Sequence, residues 1–159
     1  MVNVTIITVG NLKEDYLRQA VAEYQKRLLA FCRPTVIELK EVKLPDSPSK
    51  GEIESALSTE GERILAAIPP RAYKVALCVE GKQFSSEELA ATIEKATLVS
   101  SDICFIIGSS HGLAPEVKAA ADLRLSFSKL TFPHQLMRVV LTEAVYRAFT
   151  IIKGTKYHK

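Results

Sequence analysis

Apolar and polar positions along this chain alternate between two periods, one that suits strands and one that suits helices. Val2–Val9 is rich in β-branched residues and stops at Gly10, so it reads as a strand. From Lys13 to Phe31 the apolar residues Leu17, Ala20, Val21, Tyr24, Leu28 and Phe31 recur every three or four positions, as in an amphipathic helix. Thr35–Val42 alternates strictly, which predicts a half-exposed strand at the edge of a sheet. The segment KLPDSPSKG, residues 43–51, is the only Pro/Ser/Gly cluster and predicts an exposed loop. A second helix follows over Glu52–Ile68 and ends at Pro69-Pro70, which cannot continue it.

Tyr73–Val79 is a continuous apolar run between turn signals, hence a buried strand followed by a turn at Glu80-Gly81-Lys82. Ser85 and Glu88 have the spacing of a capping box and start a third helix. Asp102–Ile107 is another buried strand, and it runs into a turn, GSSHG, at 108–112. Ala114–Ala121 reads as a short helix with Pro115 in its first turn, and Leu123–Phe127 as a last strand. A long helix with Pro133 at its entry completes the chain. Strands separated by helices predict a single α/β domain over residues 1–159, with a mainly parallel sheet and helices on both faces.

A domain of this size buries about 68–70% of its unfolded surface and needs no disulfide or metal to hold it. Cys32, Cys78 and Cys104 are odd in number and widely spaced, and two sit in apolar runs, so they read as buried reduced thiols. The apolar start MVNVTIITVG meets charged residues too soon for a leader or a membrane span, which points to the cytoplasm and away from a membrane. Charge is unevenly divided. Residues 1–104 hold 13 Lys/Arg and 15 Asp/Glu, whereas residues 105–159 hold 8 and 3. A net +5 in the last third suits an anionic partner such as nucleic acid; a solvated tail is the plainer alternative.

Ligands of open α/β sheets bind beyond the carboxyl ends of strands. Three such ends stand out: Leu77–Lys82, Gly108–Gly112 and Phe127–Phe132. The glycines allow close backbone approach, although neither a Walker A nor a GxGxxG pattern is present. In SFSKLTFPHQLMR, backbone groups can read an adenine edge while Phe127, Leu130 and Phe132 wall an apolar pocket, unless these three are simply core. Arg138 lies in the second turn of the last helix, where a cation is unfavourable by about 0.3–1 kcal/mol, which suggests that it meets an anion. In the same helix Leu136, Val140, Leu141, Ala144, Val145, Ala148, Ile151 and Ile152 form a core stripe. Val139, Tyr146 and Phe149 fall outside it, which predicts a second packed surface and hence a homodimer. Glu143 and Arg147 form an i,i+4 pair. Tyr157 and His158, set between lysines, suit base stacking and phosphate contact, or else a frayed end. His111, His134 and His158 lack metal spacing, so no metal is expected.

The segments ITVGNLKEDY, EGERIL, LCVEGK, FIIGSSHGL and above all LSFSKLTFPHQLMRVVLTEAVYRAFTIIKGTKYHK together resemble the ribosomal RNA large subunit methyltransferase H family of the SPOUT superfamily, over essentially the full length. The resemblance implies a homodimeric enzyme with a C-terminal trefoil knot. It implies transfer of a methyl group from S-adenosyl-L-methionine to N3 of a pseudouridine in 23S rRNA, within the assembled ribosome. By position, the family's cofactor contacts fall on Leu77, Gly108, Phe127, Ser128, Lys129, Leu130, Thr131 and Phe132. Family members often have a second glycine where this chain has Ser109. Deprotonating an imide nitrogen calls for a cation beside it, for which Arg138 is the candidate, and for a group that orients the base or relays its proton, for which His134, Tyr157 and His158 are candidates. Two rivals stand beside this reading. A dinucleotide-binding enzyme would carry a glycine fingerprint after the first strand, which Gly10-Asn-Leu-Lys lacks. A non-catalytic ribosome- or RNA-binding α/β protein would account for the basic tail but not for the SFSKLTFPHQ loop.

Overall fold

Five strands form one sheet in a computed structural model that describes all 159 residues, Met1 to Lys159. The strands are β1 (Asn3–Val9), β2 (Arg33–Leu39), β3 (Tyr73–Gln83), β4 (Asp102–Ile107) and β5 (Leu123–Ser126). Their order is β2-β1-β4-β3-β5 and every pairing is parallel. Between them run α1 (Asp15–Leu28), α2 (Lys50–Ala67), α3 (Ser86–Val99) and α4 (Pro115–Ala120), and α5 (His134–Lys153) follows β5.

Side chains of a strand point alternately to its two faces, so a strand covered on both sides must be apolar throughout. β4 does this: Ile103, Phe105 and Ile107 join the core beneath α3 and α5, while Cys104 and Ile106 join the core beneath α2 and α4. Phe105, Ile106, Leu141 and Val145 are fully buried, and each contributes about 1.5–3 kcal/mol on leaving water. The edge position expected for the alternating strand is that of β2.

Four local expectations need correction. The loop after β2 is shorter than 43–51, because Ser49 caps α2: its hydroxyl accepts from Glu52 N while the Glu52 carboxylate accepts from Ser49 N, each at 3.1 Å. Glu80-Gly81-Lys82 is strand, not turn. β3 pairs with β5 first at Val75–Leu77 and again at Lys82–Gln83, with a register shift between. Gly81 permits this, since a Cβ there would lie 2.8 Å from the backbone of Arg124 and Leu125. Leu136 is 37% exposed and so stands outside the core stripe, whereas Phe149 is 4% exposed. Phe149 stacks on Phe31 at 6.2 Å, and Tyr146 packs against Tyr24 and Phe31. The reason is tertiary: α1 and α3 both lie against α5 and cover faces that periodicity assigned to solvent or to a partner. These rings therefore do not by themselves require a second copy. Lastly, Cys32 and Cys104 are buried, but Cys78 is only half-buried; all three are free thiols.

Candidate functional site

The carboxyl ends of β3, β4 and β5 and the first turn of α5 enclose a cavity of about 630 Å³, inside the range of small-ligand sites. At its floor the chain turns sharply after β4. Gly112 N donates to Ser109 O at 2.9 Å, and Gly112 takes a φ of +91°, where a side chain is disfavoured. Gly108 has no room for a side chain, since a Cβ there would come within 2.2 Å of the Gly112 carbonyl oxygen. The turn thus brings backbone at Gly108 and Gly112 close to whatever occupies the cavity, with Ser109, Ser110 and His111 lining it between them.

The loop from Phe127 to Pro133 forms another wall. Ser126 Oγ donates to Ser128 O at 3.2 Å, and Ser128 Oγ accepts from Leu130 N at 2.9 Å, so the loop is braced by its own serines. Leu77, Gly108, Phe127, Ser128, Leu130, Thr131 and Phe132 all line the cavity. Lys129 does not; it is exposed, with its neighbours facing inward. Leu130 is 76% exposed, so it is part of the rim and not of the core.

Cys78, Val79 and Glu80 belong to the Leu77–Lys82 strand end singled out from the sequence, whereas Lys118, which arrives because α4 lies across from it, was passed over. Glu80 and Lys118 pair at 2.5 Å across the rim, and the Lys118 hydrogen bond holds the Glu80 carboxyl below the usual range. Burial pushes the Cys78 thiol up, so this cysteine is a poor nucleophile at neutral pH.

The four candidate catalytic side chains do not converge within one chain. His134 lines the cavity together with Met137. Burial lowers its pKa, and the charges of Arg138 and Lys13 lower it further against an opposing pull from Glu41, so the ring is neutral at neutral pH. Arg138 does not line this cavity. Only 3% exposed, its guanidinium donates to Glu38 Oε2 at 2.7 Å, to Val9 O at 3.2 Å and to Gly10 O at 2.6 Å. The anion that Arg138 meets is therefore the carboxylate of an edge strand. That answers the unfavourable helix position by tying α5 to the end of β1.

Tyr157 and His158 are not frayed. Glu143 Oε1 accepts from Arg147 Nη2 at 2.6 Å and from the Tyr157 hydroxyl at 3.0 Å, so the expected i,i+4 pair also anchors the tail. The Tyr157 ring packs edge-on against Tyr146 at 4.8 Å beneath the Arg147 guanidinium. His158 lies 3.1 Å from Arg147 Nη1 and 2.8 Å from Glu87 on α3. Burial, with Tyr24 and Glu143 adjoining, pushes the Tyr157 phenol up to about 12. Glu143 is nine residues beyond His134, about 14 Å along a helix that rises about 1.5 Å per residue, so the tail lies away from its own chain's cavity. No group of three or more His, Cys, Asp or Glu is arranged to hold a metal ion, and no helix is long and apolar enough to cross a membrane.

Residues 2–158 match the family model described as "Predicted SPOUT methyltransferase". The chain is 53% identical over 158 residues to the ribosomal RNA large subunit methyltransferase H of Bacillus pumilus (strain SAFR-032), covering 99% of each. It is 54% identical over 157 residues to the protein of the same name from Streptococcus thermophilus (strain ATCC BAA-491 / LMD-9), covering 98% of this chain and 99% of that one. Among solved structures it is similar to a probable methylase family protein from Haemophilus influenzae Rd KW20, with a TM-score of 0.52 and 13% identity, over 99% of this chain and 70% of that chain. At that identity the likeness concerns the fold alone.

Proposed function

The chain belongs to the SPOUT methyltransferase family, and from that premise we propose that it transfers a methyl group from S-adenosyl-L-methionine to N3 of a pseudouridine in 23S rRNA of the large ribosomal subunit. The observation that carries this reading is the cavity beyond β3, β4 and β5. Its volume of about 630 Å³, its apolar walls at Leu77, Ile107, Leu113, Leu125 and Phe127, and its bare glycine turn suit a nucleoside with a short polar chain.

Bound there, the donor supplies a methyl already activated by its sulfonium. What the protein contributes is alignment: the Gly108–Gly112 turn and the Phe127–Phe132 loop hold the donor so that the incoming nitrogen meets the methyl in line. The N3 proton must leave. His134, neutral at neutral pH and within the cavity wall, is our candidate to accept or relay it. Tyr157 keeps its proton and donates it in a hydrogen bond to Glu143, so in this reading its ring orients the base and the hydroxyl is not a relay. Arg138 becomes a positioning residue, because its guanidinium is spent on Glu38 and two carbonyls.

Since Tyr157 and His158 lie away from their own cavity, the site is complete only if the tail of a second copy supplies them; the active form in this reading is a homodimer with one chain's tail over the other's cavity. The net +5 of residues 105–159 suits the rRNA phosphates, and the reaction belongs to the cytoplasm, where assembled ribosomes are. Mass spectrometry of 23S rRNA from cells with and without the gene tests target and chemistry together. Loss of one N3-methylated pseudouridine is the expected result. An unchanged rRNA, with no binding of S-adenosyl-L-methionine by calorimetry, would favour a non-catalytic RNA-binding protein.

A further inference from the structure

Behind the glycine turn lies a carboxylate that the proposed reaction does not use. Glu60, on α2, is 4% exposed and takes part in none of the salt bridges of the chain. Its Oε1 accepts the Ser109 hydroxyl at 3.0 Å, and its Oε2 accepts the backbone N–H of Val42 at 3.1 Å. Ser109, 7% exposed, directly follows Gly108 and lines the cavity. α2 is brought close enough by Gly61, where even a Cβ would lie 3.0 Å from the Ala114 Cβ at the start of α4.

A buried carboxylate without a cation is an expensive way to hold two elements together, and an apolar residue of like volume packs in such a place without the desolvation cost. Stability alone therefore does not account for Glu60. What it does that an apolar residue cannot is grip a hydroxyl on the turn and an amide on the segment after β2 at the same time. The Ser109 hydroxyl provides the handle.

We propose that Glu60 is a positioning residue for the donor pocket, which sets the Gly108–Gly112 turn through Ser109 and braces it against the segment after β2. The inference rests on the donor reading given above. Glu60 touches no ligand; it acts through the serine.

Three variants test it: Glu60→Met, Glu60→Gln and Ser109→Ala. Glutamine keeps both contacts, its amide oxygen accepting from Val42 N and its amide nitrogen donating to Ser109 Oγ. The expected results are a melting temperature for Glu60→Met below that of the parent, because Val42 N and the Ser109 hydroxyl lose their acceptor, with affinity for S-adenosyl-L-methionine weakened at least tenfold and kcat at saturating donor unchanged. Glu60→Gln should bind within threefold of the parent, and Ser109→Ala should weaken binding with no further loss when combined with Glu60→Met. Hydrogen exchange of peptides covering 107–113, without any ligand, should be faster in Glu60→Met and Ser109→Ala than in the parent and Glu60→Gln. Unchanged affinity and exchange in Glu60→Met, or in Ser109→Ala should Glu60→Met fail to fold, overturns the proposal. Failure of the parent protein to bind the donor would instead sink the donor reading, while the exchange data still decide the role of Glu60.

Discussion

Arg138 and Glu38 meet at 2.7 Å although a hundred positions separate them in the chain, and the contact ties the first turns of α5 to the edge strand β2. The pair is lopsided. The arginine side chain is 3% exposed and the glutamate side chain 42%, so only the cation depends wholly on its partners. Its Nη2 holds the carbonyls of Val9 and Gly10, and its Nε has no partner at all.

Replacing Arg138 by methionine should therefore destabilise the chain by about 2–4 kcal/mol, a little under the usual cost of breaking a buried pair because Glu38 returns to water. Glu38→Gln should cost less, about 1 kcal/mol, since an amide oxygen still accepts from Nη1. Urea denaturation measures both. Equal losses for the two variants would contradict the asymmetry.

Gly108→Ala forces a Cβ toward the Gly112 carbonyl oxygen, 2.2 Å away in the present backbone, so the turn has to open. Overpacking of this kind costs about 1–3 kcal/mol. Affinity for S-adenosyl-L-methionine should fall by more than tenfold in calorimetry, with the far-UV circular dichroism unchanged. A donor affinity equal to that of the parent protein would mean that the turn takes no part in binding.

His134 links pH to stability in a calculable direction. Its folded pKa lies below the ordinary 6.5, first through burial. The unfolded chain therefore takes up the proton first, and stability held above pH 6.5 is lost as pH falls from 6.5 toward the folded pKa. The melting temperature should fall more steeply between pH 7.5 and 5.5 in the parent than in His134→Asn. Identical slopes would show that the ring is not held neutral. If His134 takes the N3 proton, the acid limb of the methylation rate should also lie below pH 6.5 and vanish in His134→Asn.

Removal of Tyr157–Lys159 separates the proposed composite site from a self-contained one. The tail does not reach its own cavity, so donor affinity should stay within about twofold of the parent value, which is roughly 0.4 kcal/mol. Methylation of ribosomes should drop to background. Loss of donor binding would place the tail in the pocket of its own chain. Mixing the truncated protein with a Gly108→Ala chain should restore part of the activity, because each then supplies what the other lacks.

Local chemistry made much of the architecture legible in the residues themselves. Continuous apolar runs such as DICFII must be covered on both faces, which made β4 a buried strand and the sheet mainly parallel before any coordinates. The Ser85–Glu88 capping box and the proline at the entry of α5 marked helix starts for reasons confined to a single turn. The Ser49–Glu52 box was equally legible, but the Pro/Ser/Gly cluster around it argued for a loop. The pocket loop was singled out as the segment beyond the last strand, and the resemblance carried by a long unbroken segment then gave it the donor.

The tertiary structure decided what depends on partners far apart in sequence. Phe149 looked like part of a dimer surface because helical period cannot know that α1 will lie across α5. Glu80 looked like a turn residue because β5, which holds that part of β3 in the sheet, comes some forty positions later. Arg138 was singled out as a cation for a phosphate or an incipient anion, whereas the anion it meets within the chain is Glu38, on another strand. Glu60 stood in EGERIL, one of the segments that carry the resemblance, but nothing near it gave it a role, since its two acceptor bonds reach Val42 and Ser109, 18 and 49 positions away. Sequence determined the elements, because capping and burial patterns act within a few residues; tertiary structure decided the wiring of the site, because hydrogen bonds between distant segments exist only once the sheet has set their distance.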